Sequence, residues 1–151
     1  MTNVFKQIKF FLENVIFLFL FLLLSLLPIN LVSVLGGYIL KYSGPMFRSH
    51  KIALSNFKKI YNDLNDNQIK IKVKKSWENL GKTLFEFSIL EKLVDKKNNK
   101  ITISGLENIE TVIKNEEQVI FFSIHQSNWE ILLPIIDQLG INIVAIYRHI
   151  N

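Results

Sequence analysis

Residues 15–27 read VIFLFLFLLLSLL, an unbroken apolar run in which Ser25 is the only polar member. No water-facing surface of a soluble domain accommodates such a run, so a membrane segment has to be placed before any other element. The run is shorter than the roughly 20 residues that cross a hydrocarbon core. It extends backwards to Val4, interrupted by Lys6, Lys9 and Glu13. Forwards it meets Pro28 and Asn30, then a second apolar stretch, LVSVLGGYIL, at 31–40. Two geometries fit: a tilted spanning helix whose Lys6 and Lys9 snorkel to the interface, or a helix kinked at Pro28 and lying partly in one leaflet. A cleaved signal peptide fits less well, because no small-x-small site follows Leu27. Positive charge continues past the apolar region at Lys41, Arg48, Lys51, Lys58 and Lys59. For a spanning helix this bias places the C-terminal part in the cytoplasm; for an embedded one it faces anionic headgroups.

The hydrophobic fraction of 49% and the mean hydropathy of +0.24 are high because of this N-terminal concentration. The net charge is +5, and beside an apolar anchor its natural partner is anionic lipid. A nucleic-acid partner is not expected, since there is no zinc-finger spacing and no tight Arg cluster interleaved with aromatics. The basic run from Lys96 to Lys100 reads as a solvated loop. The absence of cysteine excludes a disulfide framework and a thiolate zinc site. His-Glu-x-x-His is also absent, which removes a metalloprotease reading.

Beyond the anchor, Gly44-Pro45 opens a helix predicted over 45–61, and the polar turn NDLNDN follows at 62–67. A long helix is predicted over 68–94, with Ile69, Val73, Trp77, Leu80, Leu84, Phe87 and Val94 turned inward. Gly81 in its middle weakens it. The pattern then changes. Residues 101–103 read as a short strand, and Ser104 with Glu107 as a capping box for a helix over 106–114. The run QVIFFSI at 118–124 suits a strand buried on both faces. Residues 127–139 read as a helix ended by Gly140, and 141–147 as another buried strand. Strand, helix, strand of this length is a βαβ unit. The fold class expected is therefore α/β, divided into a membrane anchor at 1–42, a helical region at 43–99 and the first part of an αβα parallel-sheet domain at 100–151. With so few strands that domain is expected to be incomplete, leaving a long exposed edge prone to aggregation.

The chemistry-bearing stretch is SIHQSNWE at 123–130. His125 falls at the carboxyl end of the expected 118–124 strand, where open α/β sheets place their ligands. Glu130 follows five positions later in the first turn of the next helix. A short turn between them brings a carboxylate to the imidazole, where it sets the tautomer and stabilises the imidazolium. This is the base half of a catalytic triad without a protein nucleophile, so the nucleophile would be a substrate hydroxyl. The backbone N–H groups at the helix start, with Asn128 as a further donor, offer a place for a phosphate or a developing oxyanion. A His followed five residues on by an acid is weak by itself: it recurs by chance for roughly one His in eight or ten. Glu130 also stands three residues after Ser127 and suits a simple capping box. Trp129 suits a core aromatic, Pro134 falls inside the expected helix without an evident reason, and His50 and His149 have no carboxylate at useful spacing.

The wider stretch IFFSIHQSNWEILLP resembles the signature of the bacterial lipid A late acyltransferases, of the lauroyl/myristoyl type within the His-x4-Asp/Glu acyltransferase superfamily. His125, Asn128, Trp129 and Glu130 match it residue by residue. Leu54-Ser55-Asn56-Phe57, Ser76 to Lys82 with Glu86, Ile103 to Glu107, and Ala145 to Arg148 resemble further family segments, so that the likeness covers nearly the whole chain. The resemblance implies transfer of an acyl chain from acyl carrier protein to a hydroxyl of a Kdo-lipid A precursor at the bacterial inner membrane, with the catalytic part on the cytoplasmic side. It implies His125 as general base, Glu130 as its orienting partner, Arg148 as a ligand for a substrate phosphate, and no cofactor. Family members run to roughly twice this length. The alternatives are an acyltransferase with a glycerolipid (lysophospholipid) acceptor and a catalytically incomplete membrane-bound fragment.

Overall fold

The computed structural model describes residues 2–115, 117–144 and 146, with side chains described from Val4. Among these residues the chain is helical and contains no strand. It divides into two compact units, Met1–Ile89 and Leu90–Asn151.

In the first unit, α1 (Thr2–Ser25) carries residues 15–25 of the apolar run and extends it backwards through Lys6, Lys9 and Glu13 as one helix. Within it, Val4–Ser25 has a mean hydropathy of 2.1 and is long and apolar enough to cross a membrane. Nearly all its side chains are exposed. Pro28 lacks an N–H and starts a new helix, α2 (Ile29–Ser43). Pro45 stands in a 3-10 turn, Gly44–Met46, and α3 (Ser49–Ile60) follows.

The next helix, α4 (Asp66–Glu86), begins two residues earlier than the hydrophobic period indicates. Asn65 accepts from the backbone N–H of Gln68 at 3.0 Å, and the Gln68 side chain accepts from the Asn65 N–H at 2.9 Å. This reciprocal box satisfies two N–H groups that would otherwise face only water. The predicted 68–94 helix is also interrupted: a 3-10 turn at Phe87–Ile89 separates α4 from α5 (Leu90–Val94).

α2 and α4 form the core of this unit and run antiparallel. Ser33 donates to the Glu86 carboxylate, Gly36 lies on Gly81, Lys41 meets Glu78, and Gly44 lies under the Trp77 ring. At the crossing, a Cβ on Gly36 would fall on the carbonyl oxygen of Gly81, and one on Gly81 on that of Gly36. Val32, Ile69, Val73 and Ile89 fill the remaining apolar interior. The packed stripe of α4 thus follows steps of four through Ile69, Val73, Trp77, Gly81 and Phe85. The inward positions expected at Leu84 and Phe87 are corrected: both are exposed, and Gly81 and Thr83 are buried in that stretch instead.

Glu78 ties the two helices electrostatically. Its carboxylate lies 2.9 Å from Lys41 of α2, and 3.2 and 3.3 Å from Lys75 and Lys82 of its own helix. Hydrogen bonding to Lys41 first, then to Lys75, lowers its pKa from an ordinary 4.5 to about 2. A depressed carboxylate contributes stability in full above its unfolded value and loses it as pH falls through its folded value. Glu78→Gln is therefore expected to lower the melting temperature at neutral pH, by about 1 kcal/mol of stability. The gap from wild type should close between pH 4.5 and about 2. Calorimetry of both proteins across that window checks it; a gap independent of pH would contradict it.

In the second unit, α6 (Glu107–Lys114) and α7 (Leu132–Gln138) stand where helices are predicted. The capping box expected from Ser104 and Glu107 is not formed; Leu106 is the N-cap, without a side-chain bond, after Gly105 in a left-handed conformation. A 3-10 turn, Trp129–Ile131, precedes α7, so Pro134 falls in the first α-helical turn, where its missing N–H costs little. Gly140, with φ +78°, ends the helix as predicted, its N–H donating to the Asp137 carbonyl. Val94 and Ile136 are buried. Residues 118–124 form no ladder, and Ile120 and Phe122 are 82% and 91% exposed. A strand buried on both faces needs partners on its edges and layers above and below; among the described residues this run has neither. The expected 141–147 strand lies partly outside the described residues.

Candidate functional site

The 123–130 segment folds as two successive tight turns. The N–H of Gln126 donates to the Ile124 carbonyl at 2.8 Å, which puts His125 at the centre of a three-residue turn. Ser127 then adopts a left-handed conformation, φ +51°, a region that residues with a Cβ seldom enter. The strain is of order 1 kcal/mol and marks this bend as a constrained part of the chain. Nothing in the sequence signals it, since serine is not a usual residue for that conformation.

The bend delivers Asn128 to the head of the next turn. Its Oδ1 accepts from the backbone N–H of Glu130 at 3.2 Å, so Asn128 is the N-cap. The Ser127–Glu130 capping box considered from spacing is thus replaced by an Asn128 cap. This engages the Asn128 side-chain oxygen, whereas the expected substrate role was that of a donor. Glu130, half-buried, is held in the turn Trp129–Ile131.

His125 is exposed, and its ring lies against Trp129, with centroids 4.8 Å apart and planes tilted by 51°. The half-buried indole therefore does more than fill a core: it supports the imidazole. Among the described residues no hydrogen bond or ion pair joins His125 to Glu130. Arg148 lies outside the described residues.

An open groove of about 520 Å³ runs alongside. Ile101, Ile103, Ile124, Ile131, Leu132 and Ile135 make it largely apolar, with Ser123, Gln126, Ser127 and Asn128 among its polar members. Trp129 lines it too, so His125 borders the groove through its ring partner and both chain neighbours. The apolar wall contributed by 101–103 was not foreseen as part of a site; the segment reads only as a short strand, and its closeness to 123–132 is a tertiary fact.

Comparison with curated proteins and with solved structures gave no match. A family model, that of the bacterial lipid A biosynthesis acyltransferases, matches residues 4–151. That span takes in the apolar helix, the α2–α4 pair and the His125–Glu130 segment alike, and the chain accordingly belongs to the bacterial lipid A biosynthesis acyltransferase family, a family of acyl-transferring enzymes.

Proposed function

We propose that this protein transfers a fatty acyl chain from an acyl carrier protein thioester to a hydroxyl of a lipid A precursor of the Kdo-lipid IVA type. The observation that carries the reading is the family match across the whole His125–Glu130 segment. The position of that segment beside a largely apolar groove supports it, because such a groove suits an acyl chain.

In this reading the imidazole of His125 takes the proton of the acceptor hydroxyl as the oxygen attacks the thioester carbonyl. The tetrahedral intermediate collapses with loss of the carrier thiolate, which recovers the proton from the imidazolium. Glu130 orients the ring and stabilises its charged form; hydrogen bonds of this kind are often long without substrate and tighten in the complex. Asn128 shapes the turn that presents them, and Arg148 pairs with a substrate phosphate. In this reading the 118–124 run, unpaired among the described residues, pairs as a strand of an αβα sheet when the site is assembled. The α1 helix anchors the protein in the inner membrane with the catalytic part on the cytoplasmic side.

The product of the whole reading frame, reconstituted with labelled acyl carrier protein, tests this. A Kdo-lipid IVA acceptor is expected to take up label in preference to a lysophospholipid offered in equal amount. The reverse preference would favour a glycerolipid acyltransferase, and transfer to neither would remove the proposal.

A further inference from the structure

Only one side of α2 packs on α4. Val32, Gly36 and Gly37 are buried there, and Lys41 reaches Glu78 from the same pair of helices. The opposite side carries Leu31, Val34, Tyr38 and Tyr42, three or four residues apart, with Ile39 at its margin; all five are exposed. No charged residue interrupts this stripe. A water-facing helix side normally carries polar groups, so a continuous apolar side needs an occupant.

Three features of the unit point to the same one. The stripe starts a few residues after the exposed, membrane-length Val4–Ser25 segment, with only Leu26, Leu27 and Pro28 between the helices. Its aromatic members are tyrosines, with ring centroids 4.7 Å apart, and the Lys74 ammonium lies 4.4 Å from the Tyr42 ring centroid. Apolar bodies with polar tips, edged by a cation, match the boundary between acyl chains and headgroups. The charge is also segregated. Residues 1–89 carry twelve Lys and Arg against five Asp and Glu, and residues 90–151 carry six against eight. The positive excess therefore belongs entirely to the unit that holds the stripe, as an anionic lipid surface would require.

We infer that the outer side of α2 lies in the headgroup–acyl boundary of an anionic bilayer, as a second, in-plane contact beside α1. The inference rests on the reading of α1 as membrane-inserted and adds a distinct surface to it. It makes α2 a floor that seats the α2–α4 layer on the leaflet.

The 151-residue chain has no cysteine, so single-cysteine variants of this chain can each carry one polarity-sensitive fluorophore. Val34→Cys and Tyr38→Cys probe the stripe, and Leu18→Cys probes α1. Ile71→Cys, exposed on α4 between buried Ile69 and Val73 and so on the far side from α2, serves as the aqueous control. In vesicles of phosphatidylglycerol and phosphatidylethanolamine, the labels at 34 and 38 are expected to shift to the blue. They should lose intensity to nitroxide lipids labelled near the headgroup, and resist aqueous iodide. The label at 18 should respond to deep nitroxides, and that at 71 to iodide. Iodide quenching at 34 and 38 with deep quenching at 18 would overturn this inference and leave α1 in place. Iodide quenching at all four would remove the membrane reading of α1 as well. Shielding from both quenchers, with cross-linking between copies through position 38, would assign the stripe to a second copy and overturn the lipid contact.

Discussion

His125→Ala is expected to lower acyl transfer at least about a hundredfold, the low end of what loss of a general base costs. The change should leave the fold intact. The imidazole is exposed and its described contact is with the Trp129 ring, so the stability change should lie within about 0.5 kcal/mol. Glu130→Gln isolates the orienting charge, because the Asn128 cap uses the backbone N–H of residue 130 and survives the substitution. A smaller loss than for His125→Ala is expected, since the base remains while its charged form is less stabilised. Steady-state assays of both variants in the full-length protein, with far-UV circular dichroism as a folding control, check this. Turnover near wild type for His125→Ala would remove the mechanism.

Gly81→Leu is expected to destabilise the first unit by about 3 kcal/mol, the upper end of overpacking costs. The obstacle to a side chain here is the carbonyl of Gly36, which belongs to backbone and cannot rotate aside. α2 and α4 would have to separate, loosening the Lys41–Glu78 and Ser33–Glu86 links on either side of the crossing. Gly81→Ala makes the sharper comparison. Alanine gains about 1 kcal/mol in helix propensity, so a net loss of stability shows that contact outweighs propensity. Leu84→Ala, at an exposed position three residues on, should change stability by less than about 0.5 kcal/mol. Thermal unfolding of the three variants in one detergent decides it; a stabilised Gly81→Ala would refute the close crossing.

Several elements were legible in the residues because their signals are local. The apolar run reads as a membrane segment whichever way it lies, and Pro28 and Gly140 punctuate the chain through their own backbone chemistry. Helix boundaries were less legible where side chains compete for the same N–H groups. Asn65 with Gln68 starts α4 earlier than the apolar period indicates, while Ser104 and Glu107 have the right spacing for a box that the Gly105 turn prevents. The inward side of α4 was misread past Trp77 because periodicity counts apolar side chains, and the closest contact is made by a residue that has none.

The candidate site divides in the same way. That 123–130 is the candidate segment for the chemistry was read from residue types, spacing and resemblance, and it lies within the span of the family match. Residue order therefore determined where the apolar helix runs, which side chains are candidates for proton transfer, and where the positive charge is concentrated. These depend on groups close together along the chain. Only the tertiary structure decided that α2 meets α4 glycine to glycine, that Asn128 caps the turn holding Glu130, that His125 leans on Trp129, and that residues 101–103 wall the neighbouring groove. Each of these depends on the shape left between neighbouring backbones or on a bend in the chain, and neither is written in the character of any single residue.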